Sequence, residues 1–311
     1  MTVVERRQTN FMTSKKLRSL VICFAVFIAY TGVVLFPFQI HSQAAEKGPL
    51  WKIRSKNNVV YLLGSIHYLK PQSYPLDETL EAPFKDAKKL VFEIDLESAE
   101  GGQRERLMVM KGVYSDGTSL KYHVAPSTYA LAEKQLKALG LDIKIFDQFK
   151  PWVTALTVLG LKLQAMGFDP GQGIDRYFFR KAKKERKETH GFETLEYQLG
   201  LFDGLPERVQ ETLLLQSLND AELTEASVDA VVKAWAAGDL KTLDALLLQG
   251  MRDHPELYRA LIVDRNRAWF PKIESYLSQS ENYLVVVGAA HLAGKDGLIE
   301  MLKAKGYAVE Q

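Results

Sequence analysis

Apolar and polar residues alternate with the period of β-strands in the first third of this chain. The stretch WKIRSKNNVVYLLGSIHYL holds two strand-like runs around the polar turn SKNN, which predicts a hairpin. In KLVFEIDL the alternate positions are apolar, whereas Val91, Glu93 and Asp95 share the opposite face of the predicted strand. Near the end of the chain, the run YLVVV is apolar throughout and is typical of a strand covered by helices on both faces.

The middle of the chain shows the longer period of helices. PWVTALTVLGLKLQAMG opens with a proline and is apolar nearly all round, so it is predicted to be a buried helix. GIDRYFFRKAKKERK begins an amphipathic helix, and three short helices are predicted after it, in PERVQETLLLQSL, TEASVDAVVKAWAAG and DLKTLDALLLQG. HPELYRALIVDRNRAWFPKIESYLSQ is predicted to be one longer helix, kinked or broken near Pro271.

The first 44 residues have the pattern of a targeting segment. Five Lys and Arg residues precede an apolar run from Leu20 to Phe38, and Ser42-Gln43-Ala44 fits the pattern that signal peptidase accepts. We predict that residues 1–44 are a signal peptide or, if uncleaved, an N-terminal membrane anchor. Residues 45–311 are then predicted to form a single domain. Both alternatives predict export, to a periplasmic or extracellular location.

This leader also carries the apparent basicity of the chain. Of the 40 Lys and Arg and 38 Asp and Glu residues, five and one respectively precede residue 45, so the remainder has a net charge near −2. No attraction to nucleic acid follows, and contact with a membrane is expected only through an uncleaved leader. The single cysteine, Cys23, lies in the leader, which excludes disulfides, thiolate zinc sites and a Cys nucleophile from the predicted domain.

The candidate chemistry starts from a motif that occurs twice. LLGSIHYLKP and VVVGAAHLAG each end an apolar strand in Gly-x-x-His, which places His67 and His291 where α/β sheets bind ligands. Glu93 lies toward the end of a third predicted strand. Two imidazoles and a carboxylate can hold a divalent metal that lowers the pKa of bound water. Taken singly, each histidine is more simply explained by a structural hydrogen bond, and Glu93 by a salt bridge or a solvent-facing position.

Several further residues have alternative explanations. Arg265 falls on the apolar stripe of its predicted helix, so either carboxylates or a substrate oxyanion are its partners, or its head reaches the surface. Glu193 and Glu196 are expected to share one helical face, as ligands, as a general base or as an acidic first turn. Asp175 is predicted to be an N-cap or first-turn acid. Ser65 lacks the G-x-S-x-G elbow and is not predicted to be a nucleophile.

Together these stretches resemble the TraB/GumN family of TraB-, PrgY- and Tiki-like proteins. The resemblance runs over essentially all of residues 45–311. It rests on these stretches of the chain: LLGSIHYLKP, VFEIDL, PWVTAL, GQGIDRYF, GFETLEYQ, DRNRAW and VVVGAAHLAGKDGLIEMLKAKGYAV.

The resemblance implies an α/β fold with a mixed central β-sheet, flanking helices and a helical insertion, like that of erythromycin esterase and the haem-binding ChaN proteins. It also implies metal-dependent hydrolysis of a peptide or protein substrate, with Mn²⁺ or Co²⁺ favoured and Zn²⁺ as a further candidate. Carried over by position, His67 and His291 are metal ligands, Glu93 is a ligand or base, and Arg265 stabilises the developing oxyanion.

The leading hypothesis is therefore an exported metal-dependent hydrolase in which Glu93 or Glu193 moves the proton. The alternative is a non-catalytic regulatory protein of the same fold that binds haem, a metal or a peptide.

Overall fold

The computed structural model describes residues 48–219 and 223–311. The predicted signal peptide or anchor, residues 1–44, lies outside the described residues. Within those ranges, no helix combines the length and the apolar character that crossing a bilayer requires.

Six strands form a mixed sheet in the order β4-β3-β5-β2-β1-β6. β5 lies between β3 and β2 and is parallel to both, β4 is parallel to β3, and β1 is antiparallel to β2 and to β6. The bounds are β1 (Leu50–Arg54), β2 (Val59–Ser65), β3 (Lys89–Ile94), β4 (Glu188–Glu193), β5 (Tyr283–Gly288) and β6 (Val309–Glu310). The predicted hairpin and mixed α/β sheet are confirmed, whereas the specific likeness to erythromycin esterase stays a prediction.

Helices connect and cover these strands. They are α1 (Glu78–Asp86), α2 (Gln103–Gly112), α3 (Leu120–His123), α4 (Pro126–Ala138), α5 (Pro151–Ala165), α6 (Ile174–Glu185), α7 (Leu195–Asp203), α8 (Glu207–Leu218), α9 (Glu225–Ala236), α10 (Leu240–Leu243), α11 (Gln249–Arg252), α12 (Pro255–Tyr258), α13 (Asp264–Leu277), α14 (Ala289–Leu292) and α15 (Leu298–Ala304). Short 3₁₀ turns occur at Pro71–Ser73, Ile143–Ile145 and Pro170–Gln172, and π-helical turns at Asp244–Leu248 and Arg259–Val263.

The sheet has an apolar core on each face. Leu90 and Phe92 of β3 belong to the larger cluster, beneath the helices that follow β3, whereas Val91 packs in a second cluster with Trp269. Every residue of β5 is buried, as the sequence predicts. The predicted alternation of faces in β3 is thus confirmed, and Glu93 falls on the face of Val91.

The long helix near the C-terminus departs from the prediction at Pro271. The helix α13 continues through Pro271, and the irregular turn is the π-helical one at Arg259–Val263. Arg267 and Pro271 are both exposed, so water can bind the carbonyl that proline leaves without an N–H partner. The π-helical turn lies beside the site described below, where such turns are frequent.

Candidate active site

The carboxyl ends of the four parallel strands meet along one edge of the sheet, where α/β proteins bind ligands. The structure brings all five predicted site residues together there. They are His67 after β2, Glu93 in β3, Glu193 at the end of β4, His291 in α14 directly after β5, and Arg265 in α13.

The glycines of the two Gly-x-x-His stretches make room for this convergence. A Cβ atom on Gly64 would lie 3.3 Å from the Cα of Ala289, so a side chain there would crowd the start of α14. A Cβ atom on Gly288 would lie 3.0 Å from Glu93 Oε1 and 3.7 Å from His67 Nε2. The lack of a side chain at Gly288 therefore lets the Glu93 carboxylate and the His67 imidazole lie close to the backbone there.

Arg265 lies at the centre of the site, with 5% of its surface exposed. Its Nε donates to both oxygens of Glu193 at 3.0 and 3.1 Å, and Nη2 donates to Glu93 at 2.7 Å and to Glu193 at 2.9 Å. Its Nη1 donates to the carbonyl of Leu261 at 3.2 Å and to His291 Nε2 at 3.0 Å. Since a guanidinium has five N–H groups, none is left over for a substrate oxygen in this arrangement.

Glu93 is held as a carboxylate by donors on both of its oxygens. The backbone N–H of Gly288 donates to Oε1 at 2.7 Å, and the side chain of Gln198 donates to Oε2 at 3.2 Å. Burial alone would raise the pKa of Glu93, but the charge of Arg265, the two histidines and the Gly288 N–H together hold it well below its ordinary value. Glu93 is therefore a weak base and a strong hydrogen-bond acceptor.

Glu193 lies in a strand and not in the predicted helix. It ends β4 instead of sharing a helical face with Glu196, because the next residue caps α7 and redirects the chain; Glu196 is exposed and pairs with Lys111 at 3.4 Å. Trp269 Nε1 donates to Glu193 Oε1 at 2.9 Å, in addition to the Arg265 bonds. Burial, with a contribution from the nearby Glu93 charge, raises the pKa of Glu193 despite Arg265.

His291 is buried and its tautomer follows from its partners. The side-chain nitrogen of Asn266 donates to the carbonyls of His291 and Asp296, so its oxygen must accept from His291 Nδ1, at 2.7 Å. Nε2 then carries a lone pair, which accepts from Arg265 at 3.0 Å. Burial and the Arg265 charge lower the pKa of His291 to about 3, so this imidazole is neutral at ordinary pH.

His67 has the opposite environment. Its Nδ1 lies 3.0 Å from Asp175 Oδ1, and 21% of its side chain is exposed. Burial lowers the pKa of His67, but the Asp175 carboxylate and the Glu93 charge together outweigh it and the net shift is upward, while the pKa of Asp175 is lowered. Asp175 reaches His67 because α6 begins close to it: a Cβ atom on Gly173 would lie 2.5 Å from the His67 carbonyl oxygen.

These side chains line one end of a cavity of about 110 Å³. The polar end is formed by His67, Glu93, Arg265, His291 and Gln198, and the remaining wall is mainly apolar, with Ser65 and Tyr68 among its residues. Glu193 lies behind Arg265 and does not line this cavity. A molecule in the cavity would therefore contact His67 and Glu93 directly, but would reach Glu193 only through Arg265.

The donor atoms as arranged do not fit a divalent metal ion. Among the described residues, no three His, Cys, Asp or Glu side chains are placed to hold one. His291 Nε2 and both oxygens of Glu93 accept hydrogen bonds, and the Arg265 guanidinium already places a positive charge 3.0 Å from that nitrogen. A second cation there would require Arg265 to move away.

Sequence reasoning missed three residues of the site. Asp175 does lie in the first turn of its helix, as predicted, but its partnership with His67 was not foreseen. Asn266, which fixes the tautomer of His291, was signalled only by its place beside Arg265 in DRNRAW. Gln198 follows Glu193 in GFETLEYQ and had no separate signal.

Fold and site define an α/β protein with a ligand-sized cavity at the carboxyl ends of its parallel strands. The chain belongs to the TraB/PrgY/gumN family, whose model matches residues 49–311. Because that match includes both Gly-x-x-His stretches, Glu93 and Arg265, the resemblance to the family is confirmed.

Relatives extend over different shares of the chain. The uncharacterized protein YbaP of Escherichia coli strain K12 is 24% identical over 258 residues, covering 79% of this chain and 89% of YbaP. An uncharacterized protein of Treponema pallidum strain Nichols is 19% identical over 311 residues, or 91% of each chain. A metalloprotease TIKI homolog of Amphimedon queenslandica is 36% identical, but over 77 residues, 24% of this chain and 13% of that protein. No solved structure matches the chain.

Proposed function

We propose that this protein is an exported hydrolase that cleaves a carbonyl–nitrogen bond in a peptide or protein substrate, with His67 as the general base. The observation that carries the proposal is the His67–Asp175 pair. Nδ1 is fixed by a carboxylate, and Nε2 has no hydrogen-bond partner among the described residues and lines the cavity beside Glu93. A histidine oriented by a carboxylate in this way is the usual arrangement of a general base.

Glu93 and His67 together form the proposed binding position of the attacking water. Its Oε1 and His67 Nε2 lie on the same side of Gly288, so one water can donate one hydrogen to each and direct its lone pair at the substrate. His67 takes the proton because its pKa is raised, whereas that of Glu93 is lowered. The water oxygen then bonds to the carbonyl carbon, the carbon–nitrogen bond breaks, and His67 returns the proton to the leaving nitrogen.

The remaining charges position this pair. Arg265 holds Glu93 ionised, binds Glu193 through three hydrogen bonds and fixes the neutral form of His291. In this proposal Arg265 and Glu193 are positioning residues, since every N–H of the guanidinium is occupied within the site and Glu193 is not exposed to the cavity.

A divalent metal is the second form of the proposal. The metal would use His67, His291 and Glu93 as ligands, and it requires that Arg265 release His291. Mn²⁺ or Co²⁺ is favoured, and Zn²⁺ is a further candidate. The partial similarity to a protein named as a metalloprotease is its support. The alternative of haem binding is not favoured, because the cavity of about 110 Å³ is smaller than an engineered apolar cavity of about 150 Å³ that holds benzene.

The test is cleavage of a library of quenched fluorescent peptides by the full chain, in chelator and with each metal. The variant is His67→Ala and the matched control is His190→Ala, because His190 is half-exposed on β4 and pairs only with Glu188 among the described residues. We expect the wild type and the control to cleave a common set of peptides, in chelator as well, and His67→Ala to lose that activity. Strict dependence on Mn²⁺ or Co²⁺ would select the metal form. Absence of cleavage under every condition, or cleavage unaffected by His67→Ala, would overturn the proposal.

A further inference from the structure

The apolar wall of the cavity is the feature that the proposed chemistry does not use. It is built from helices α5, α7, α9 and α11 and from both π-helical turns, and it includes Val228, Val231, Leu247 and Met251. Val231 and Leu247 belong to the larger core cluster, so the cavity lies within that core.

The size and polarity of this space restrict its occupant. At about 110 Å³ it is slightly smaller than the cavity of about 150 Å³ that accommodates benzene. A charged or strongly polar group would lose its hydration against the valine and leucine side chains without gaining partners. A branched aliphatic group of about four or five carbons satisfies both the volume and the polarity.

Two residues that line the same cavity carry a buried hydroxyl without a partner among the described residues. Ser65 Oγ and Tyr68 Oη have no hydrogen-bond partner among the described residues, and the two residues are 3% and 1% exposed. Buried polar groups are normally paired, because an unpaired one destabilises the fold. Ser65 ends β2, two residues before His67, and both residues line the cavity.

We propose that the cavity recognises a branched aliphatic acyl group or side chain of the substrate, with Ser65 Oγ donating to the oxygen of the carbonyl that is attacked at His67. This specificity rests on the proposed hydrolase function. The aliphatic group fills the wall around Val231, and the carbonyl lies between Ser65 and the water held by His67 and Glu93. Ser65 then acts as a donor and not as a nucleophile.

The experiment uses the full chain and two readouts. The first is hydrolysis of p-nitrophenyl acetate, isobutyrate and isovalerate, activated esters with the same carbonyl chemistry. The second is the rise in melting temperature produced by isovaleramide relative to acetamide, which needs no turnover. We expect kcat/KM to increase by about fourfold for each added carbon up to isovalerate, since each buried methylene favours binding by that factor.

Three variants test the assignment. Val231→Phe fills the wall and should remove the preference for isovalerate, whereas Val231→Ala enlarges it and should extend the preference to longer chains. Ser65→Ala should lower kcat/KM by about two- to tenfold without lowering the melting temperature, because the hydroxyl it removes has no partner among the described residues. Val109→Phe, at a valine that is 52% exposed on α2, is the matched control and should change neither readout.

The outcomes separate the two proposals. If neither the esters nor the peptide library is cleaved, but isovaleramide stabilises the wild type more than acetamide and Val231→Phe abolishes this difference, the recognition site stands and the hydrolase proposal fails. If hydrolysis depends on His67 but is equally fast for acetate and isovalerate, or is unchanged in both Val231 variants and in Ser65→Ala, the recognition proposal is overturned and the hydrolase proposal stands.

Discussion

His67 and His291 follow an apolar strand and a glycine at the same spacing, yet they have opposite surroundings. His67 is one-fifth exposed and faces the Asp175 carboxylate, whereas the His291 side chain is 5% exposed and contacts the neutral Asn266 and the Arg265 cation. The pKa of His67 is therefore raised, and that of His291 is lowered to about 3. The motif determines the position of each imidazole, and residues of the neighbouring helix determine its pKa.

The largest expected effect of this difference is on activity. His67→Ala should lower kcat/KM by about 100- to 10,000-fold, because it removes the general base, and should lower the melting temperature only by the contribution of its partly exposed ion pair with Asp175. His291→Ala should instead lower the melting temperature clearly, since it leaves Asn266 and one N–H of Arg265 unpaired in the interior. Peptide cleavage and thermal unfolding of the same two samples provide the measurement. Equal loss of stability in both variants would remove the distinction.

The second prediction concerns the cation that separates the two environments. Arg265→Leu leaves Glu93 and Glu193 buried together without a positive charge, so the free energy of unfolding should fall by about 3–5 kcal/mol. Arg208→Leu is the control, because the Arg208 side chain is 72% exposed. Urea unfolding measures both variants, and a loss no larger than that of the control would contradict the central position of Arg265.

Much of this arrangement could be predicted from the sequence. The carboxyl ends of apolar strands place His67 and His291 at one edge of a sheet, and the period of β3 aligns Glu93 with Val91. The apolar stripe of its helix leaves Arg265 either with carboxylate or oxyanion partners or with its head at the surface, and the structure shows the buried carboxylate partners. These predictions succeed because strand and helix periods are local properties.

The partners that set the chemistry could not be predicted in the same way. Asp175 is 108 positions from His67 and meets it only because Gly173 allows the start of α6 to pack against the His67 carbonyl. Glu193 was assigned to a helix because Glu196 follows at helical spacing, whereas pairing with β3 extends the strand to Glu193. Both contacts depend on crossovers between strands, which local patterns do not encode.

A third, smaller effect isolates the carboxylate beside His67. Asp175→Asn should lower activity by about 10- to 100-fold and shift the rising limb of the pH–rate profile to lower pH, because the neutral partner no longer raises the pKa of His67. Activity in the wild type should rise with pH through the raised pKa. Asp264→Asn, a half-exposed carboxylate paired with Arg259, is the control. An unshifted profile in Asp175→Asn would show that Asp175 does not set the pKa of the base His67.

The same shift has a consequence for stability. Because the pKa of His67 is raised above 6.5, its ion pair with Asp175 stabilises the fold fully below pH 6.5, and this contribution is lost as the pH rises through the raised value. Urea unfolding across that range should show a decline in the wild type that Asp175→Asn lacks. Parallel curves for the two proteins would contradict the ion pair.

The smallest expected effect comes from a substitution that makes the surroundings of the two histidines more alike. Asn266→Asp gives His291 a carboxylate on Nδ1, as His67 has in the wild type, so the pKa of His291 should rise. Asn282→Asp, at a polar residue outside the site that pairs with Asp86, is the control. Nitrogen chemical shifts of the imidazoles report the change, and an unaltered His291 titration in Asn266→Asp would show that Asn266 does not set its protonation.

The most direct test of the account is an NMR titration of the wild-type chain with ¹⁵N-labelled histidines. The account predicts that His67 titrates above pH 6.5 and that His291 stays neutral, protonated on Nδ1, until the protein unfolds in acid. If His291 instead gains a proton near neutral pH, or His67 titrates below pH 6.5, the two Gly-x-x-His stretches do not provide one base and one fixed neutral imidazole. The proposed division of roles would then be wrong.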